Sequence, residues 1–192
     1  FREIITLDVR EPGSTESVLD VVVPITAPAD ERSRRILALA SRKGLGDNTE
    51  VIGLGDMGSA IPAAFDEAFA GYTARYHADW KHTIDYVRAA SSVIEGDSKQ
   101  WKTQMRKALW ERNRATCDAL LEDARNRRIM AQVENLEKCP VRALKTYMTN
   151  SWENIRPAEL KDAGLDYVSA RAEAQVRDRT KDRFPVPGAS TE

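Results

Sequence analysis

The chain has little of several things that would narrow its class. Only two of its 192 residues are cysteine, Cys117 and Cys139, far apart and without a His or Cys neighbour at metal-ligand spacing. That excludes a disulfide-framed secreted domain and a cysteine-based zinc site, and fits two reduced thiols in an intracellular protein. No apolar run approaches the ~20 residues that cross a bilayer. No positively charged n-region precedes an apolar h-region, so neither a membrane span nor a secretory signal is expected. Internal repeats and low-complexity segments are missing as well. A net charge of −1 excludes a strongly basic nucleic-acid-binding domain.

What is present points to a folded chain of one large domain, or one domain with a sizeable insertion. The apolar content of 42% is enough for a core. Charge is unevenly spread: residues 1–98 carry 10 Lys/Arg against 16 Asp/Glu, whereas residues 99–192 carry 19 against 14. The excess of cations in the second half hints at a polyanionic partner there. The sequence opens at Phe1, without Met, directly in a strand-like pattern. The expectation is a piece of a longer chain.

Residues 4–9 and 18–25 are β-branched and apolar, separated by the turn-rich EPGST, which reads as a β-hairpin. A helix follows Pro28, with Ile36, Leu37, Leu39 and Ala40 on its apolar stripe and Gly44 and Gly46 as its stop. Residues 51–54 are wholly apolar, like a strand buried on both faces. Pro62 is tolerable in the first turn of a helix from about Ser59, and residues 73–78 form a fourth strand ending at Asp79. Beyond Trp80 the pattern is helical: 83–94, then a long tract over 98–137 that needs at least one break near 124–129. Trp101, Met105, Ala108, Leu109, Cys117, Leu120 and Leu121 share its apolar face. A final amphipathic helix is expected over 168–184, followed by a loop tail over 185–192. The order β, β, α, β, α, β and then a helical half is α/β with a helical insertion or extension.

One stretch raises a chemical question. VIGLGDMGSA, residues 51–60, has glycines at 53, 55 and 58 in the spacing of a dinucleotide fingerprint, and Asp79 falls 26 residues after Gly53. On that reading the chain is an NAD(P)-dependent oxidoreductase using GLGDMG at 53–58. Against it, Asp56 sets a negative charge where a pyrophosphate wants N–H donors. The motif is also preceded by a hairpin and a helix, and almost nothing after Asp79 reads as strand. The other chemical reading is a carboxylate site, with Asp56 at the carboxyl end of a strand and glycines leaving room for a metal and a phosphate. A purely structural turn, and a non-catalytic helical interaction module for the whole chain, complete the alternatives.

Taken together, LGDMG at 54–58, ADWKHTIDYV at 78–87 and AGLDYVSARAEAQVR at 163–177, with Arg179 and Lys181, resemble bacterial insertion-sequence DDE transposases. In that family the second catalytic Asp ends a strand within Gly-Asp-Gly-Ala, an Asp-Trp/Phe-x-His motif follows, and the third acid sits on a late helix. The resemblance covers residues 50–185, in order. It implies a partial ribonuclease H-like core over 1–90, its first strand missing, and a helical insertion over 91–163. A catalytic helix over 164–184 would return to the core. It also implies Asp56 and Glu173 as metal-binding acids, His82 as the histidine of the strand-end motif, and Mg²⁺ (or Mn²⁺) as the cofactor. Arg171, Arg177 and Lys181 would then contact DNA.

The implied activity is phosphodiester cleavage and strand transfer on DNA, by a homo-oligomer assembled on transposon ends. Such a protein works in the bacterial cytoplasm at the nucleoid, without a membrane and without a small-molecule cofactor. Val168 and Ala170 replace the family's glycines and Met57 and Ser59 also depart from its pattern, so an inactive copy, or a fragment inactive alone, is an open alternative. The first acid is either Asp8 or a residue upstream of Phe1. For Trp110 and Trp152 packing is the first expectation, as it is for Trp101. The basic run RNRR at 125–128 reads as a solvated face or a backbone contact to DNA.

Overall fold

The computed structural model describes residues 4–9, 18–24, 27–58, 60–127 and 139–169. These residues are mixed α/β and mostly helical. In chain order they form β1 (Ile4–Val9), β2 (Val18–Pro24), α1 (Ala29–Arg42), β3 (Glu50–Gly55), α2 (Ala60–Ala68) and β4 (Thr73–Ala78). Then come α3 (Trp80–Ser91), α4 (Ser98–Trp110), α5 (Arg114–Asn126), α6 (Pro140–Ser151), one 3-10 turn (Trp152–Asn154) and α7 (Pro157–Asp162). The strands make two separate two-stranded sheets, an antiparallel β1–β2 hairpin and a parallel β3–β4 pair joined through α2.

The chain divides into two compact units, and β3 and β4 run through both. The first holds the hairpin, α1, α2 and the leading halves of β3 and β4. In the hairpin Ile4 faces Pro24 and Leu7 faces Val21, but Asp8 faces Leu19, so Asp20 is an extra residue in a β-bulge. Helix α1 buries Ser33, Ile36, Leu39 and Ala40, the stripe that helical periodicity demands. It ends in a Schellman cap: Leu45 N–H donates to the Ala40 carbonyl and Gly44 N–H to that of Ser41. Gly44 supplies the left-handed φ of +90° that this cap requires. Helix α2 tolerates Pro62 in its first turn and buries Ala64, Phe65 and Ala68. Phe65 continues into a ring contact with Phe69, at 4.8 Å.

The second unit holds the ends of β3 and β4 and the described residues from Tyr76 to Tyr167. Val87, Trp101, Met105, Leu109, Leu144 and Met148 are at most 2% exposed and form its core. Trp101 also donates its indole N–H to the Leu120 carbonyl at 2.8 Å, tying α4 to α5. Helix starts are written in the sequence. Asp97 and Asn113 cap α4 and α5 through their side chains, while Pro140 and Pro157 occupy first turns, where a missing N–H costs nothing.

Of three expectations, the break near 124–129 is met by the end of α5 with a further break ahead of it, the two-sided cover of β3 needs correction, and the helix over 168–184 lies almost wholly outside the described residues. The tract from 98 breaks at Glu111–Asn113, ahead of the region near 124–129 where α5 in turn ends, at Asn126. The early break carries no glycine. Arg112 takes the left-handed φ of 52° in a second Schellman cap, with Asn113 N–H on the Ala108 carbonyl. Its guanidinium donates to the carbonyls of Trp152 and Ile155, at 3.0 and 2.8 Å, and these charge-assisted bonds offset the backbone strain. Next, β3 is half-buried along 51–55 instead of covered on both faces, because β4 is its one strand neighbour among the described residues. Finally, Val168 and Ser169 have no regular structure, and the rest of the helix expected over 168–184 lies outside the described residues.

Candidate functional site at the carboxyl edge of the parallel strands

The ends of β3 and β4 set two aspartates side by side. Asp79 N–H donates to the Gly55 carbonyl at 2.9 Å, so Gly55–Asp56 and Asp79 occupy the same edge of the parallel pair. Their environments differ sharply. Asp56 is exposed, whereas Asp79 is fully buried. Asp79 caps α3, its Oδ1 accepting from the N–H groups of Lys81 at 2.5 Å and His82 at 3.2 Å. One carboxylate is thus committed to holding a helix, and the other is available.

Two tyrosines hold this edge from behind. Tyr76 Oη donates to the Asp56 carbonyl at 3.0 Å, and the Tyr76 carbonyl accepts from Asn154 Nδ2 at 2.8 Å. Tyr147 Oη and Thr83 Oγ1 lie 2.9 Å apart, and the Tyr147 ring stacks on Tyr86 at 4.3 Å. Burial pushes the Tyr147 phenol up to about 12; the Thr83 hydrogen bond opposes the shift, and the charges of Asp56 and Asp79 add to it. Tyr76 is raised further, by burial first and then by Asp56 and Asp79. Both phenols therefore sense both aspartates.

A pH dependence follows from these shifts. Both phenols are raised from an ordinary 10.0, so above pH 10 the unfolded chain loses those protons while the folded chain keeps them. The contribution of the two phenols to stability is constant below pH 10 and falls as pH rises from 10 towards 12, by up to about 1.4 kcal/mol per pH unit for each. Denaturant titrations at stepped pH should show that decline in the wild type. It should be shallower in Tyr147→Phe, and an identical decline in the two proteins would contradict it.

Gly55 is required for a specific reason. A Cβ there would sit 2.5 Å from Tyr76 Oη. The space that a dinucleotide fingerprint keeps open for pyrophosphate is filled here by a phenol. Gly55→Ala should displace Tyr76, break its bond to Asp56 and cost about 1–3 kcal/mol in a urea melt. Tyr76→Phe, which loses the same bond without the clash, should cost about 1 kcal/mol. If Gly55→Ala proves no worse than Tyr76→Phe, the close approach is not a constraint.

The remaining residues singled out in the sequence fall as follows. His82 lies half-buried in the first turn of α3, next to the Asp79 cap, and His77 is buried on β4. Asp8 stands at the hairpin bulge in the first unit. Glu173, Arg171, Arg177 and Lys181 lie outside the described residues. The chain leading to them, however, returns to this edge: Trp80 N–H donates to the Tyr167 carbonyl at 3.0 Å. The rings of Trp80, Trp110 and Tyr167 make successive edge contacts at 5.4 and 5.5 Å. Trp152 lies under two guanidinium groups, those of Arg112 and Arg114, at 5.4 and 5.1 Å.

In the run at 125–128, Arg125 pairs with Glu122, and Arg127 pairs with Asp123 and donates to the Glu95 carbonyl. Arg128 lies outside the described residues. Both cysteines are buried and free, and burial raises the Cys117 thiol to about 11, so it is inert near neutrality. Among the described residues no three His, Cys, Asp or Glu side chains are grouped closely enough to hold a metal ion. No described helix is long and apolar enough to cross a membrane.

Sequence reasoning missed Tyr76, Tyr147, Asn154 and Arg112. The cap at Asp79 was legible in principle, as an Asp directly ahead of a helical pattern. The tyrosines carried no signal, since only the fold brings residues 76 and 147 to one edge. No protein family, curated protein or solved structure matches the chain.

Proposed function

We propose that this protein is the catalytic part of a DDE transposase, cutting and joining DNA strands in a metal-dependent reaction. The observation that carries the reading is the return of the chain at Tyr167 to the edge formed by Gly55, Asp56 and Asp79, six residues ahead of Glu173. The accompanying fold reading is a ribonuclease H-like core with a helical insertion over 91–163.

Asp56 and Glu173 would hold Mg²⁺ (or Mn²⁺), which supplies charge neutralisation at phosphorus and an activated water or 3′-hydroxyl. The described part contributes Asp56, exposed and uncommitted, as one such ligand. The chain's own residues do the positioning. Tyr76 fixes the Asp56 backbone, and Asp79 fixes the first turn of α3 and with it His82. Arg171, Arg177 and Lys181 would hold phosphates of the bound strand. In the displacement one P–O bond forms to the incoming oxygen as the bond to the leaving oxygen breaks. A homo-oligomer on paired DNA ends, acting at the nucleoid, belongs to the same reading.

The test is nicking of supercoiled plasmid by the full-length protein in Mg²⁺ or Mn²⁺. Conversion that stops on chelation is the expected result. Absence of cleavage with either metal, or cleavage indifferent to chelator, would reject the proposal.

A further inference from the structure

We infer that the strip of α4 formed by Lys99, Lys102 and Arg106 is a docking surface for the phosphate backbone of DNA, an inference that rests on the transposase reading for its partner. At 100° per residue the three positions fall within ~60° of arc, and at 1.5 Å per residue they span ~10 Å, about three phosphate spacings along one strand.

Charge pairing sets this strip apart. On α1, α3 and α5 exposed cations are matched by a carboxylate three or four residues away: Arg34 by Asp30, Arg88 by Asp85, Arg125 by Glu122. Helix α4 has no Asp or Glu from Ser98 to Trp110. Lys107 pairs with Glu111 beyond the helix end, at 3.8 Å, but among the described residues Lys99, Lys102 and Arg106 have no ion pair. Like charges at i,i+3 and i,i+4, as Lys99–Lys102 and Lys102–Arg106 are, destabilise a helix by a few tenths of a kcal/mol each. A folding surface would remove that repulsion by interleaving acids, as the other three helices do. A surface that retains it is matched to a polyanion, which neutralises all three charges at once. Helix α6 shows a shorter version, with Arg142 and Lys145 exposed and no acid in the helix.

The strip flanks the buried face of Trp101, Met105, Ala108 and Leu109: Lys99 and Arg106 are exposed, and Lys102, half-buried, lies next to Leu109 on the helix wheel. Glutamine keeps most of the aliphatic stem at these positions, so the variant should fold, with its melting temperature as the check. Asp56 and α4 belong to the same compact unit.

The test is DNA binding by the full-length protein, followed by anisotropy of a labelled duplex over a salt series. In Lys99→Gln/Lys102→Gln/Arg106→Gln the slope of log K against log salt should fall by about 2 to 3, at roughly 0.9 per phosphate contact. Arg34→Gln/Arg88→Gln/Arg125→Gln removes the same net charge from paired sites and should change the slope by less than about 1. Equal slopes in the wild type and the α4 variant would overturn the inference, and so would an equal fall in the two variants. Preferential binding of phosphatidylserine vesicles through the same three residues would also overturn it, by assigning the strip to a membrane surface. Asp56→Asn separates this inference from the reading beneath it. If that variant loses cleavage while the α4 variant binds DNA like the wild type, the strip alone is refuted. If the α4 variant loses binding while Asp56→Asn still cleaves, the strip stands and the catalytic assignment falls.

Discussion

Asp56→Asn should abolish metal-dependent DNA cleavage while leaving the fold unchanged. The side chain is exposed, and the one hydrogen bond described at this residue is accepted by its backbone carbonyl, from Tyr76. An amide of the same size therefore keeps the local structure. What it loses is the negative charge that, on the transposase reading, would hold a divalent cation, and a Lewis-acid contribution of several kcal/mol corresponds to a rate loss of about a thousandfold or more. Circular dichroism and the melting temperature should match the wild type while nicking disappears. On the same reading Glu173→Gln should also abolish nicking. Wild-type cleavage by either variant would remove the acids from the mechanism.

Trp101→Ala should be the most damaging single change to stability in the helical unit. Trp101 is 2% exposed, and its indole N–H is the donor to the Leu120 carbonyl. Truncation removes a large buried ring, opens a cavity between α4 and α5, and takes the indole donor from that carbonyl. The expected cost is roughly 3–5 kcal/mol from the ring, with a further ~1 kcal/mol from the hydrogen bond. At about 2–4 °C per kcal/mol for a chain of this size, the melting temperature should fall by ~10 °C or more. Trp110→Ala, at a half-buried position, is the comparison and should cost clearly less. Equal losses at the two sites would mean that Trp101 is not the anchor its burial indicates.

Much of the secondary structure was legible because its signals are local. The hairpin, the strand ending at Ala78 and the helix from Ser98 follow from alternation and breaks, whereas the helices opened by Pro140 and Pro157 were not anticipated. The break at 111–113 was not legible, because a cap normally marked by glycine is built there on Arg112, whose compensation comes from carbonyls 40 and 43 residues away. Likewise Asp56 could be singled out by its place at a strand end, but not the phenol that secures it. Tyr76 reads as an ordinary alternating strand residue, and its meaning depends on the glycine across the sheet. Sequence pattern identified which acids to consider; contacts far apart along the chain decide how Asp56 is held.

The bond from Asn154 to the back of Tyr76 has a bearing on engineering. Because a turn late in the chain braces the residue that braces Asp56, the carboxylate's placement is not a property of its own loop. Transplanting the strand–loop segment around Asp56 into a foreign scaffold would leave the carboxylate unsupported, whereas rewriting the loop within the intact protein would preserve its anchorage.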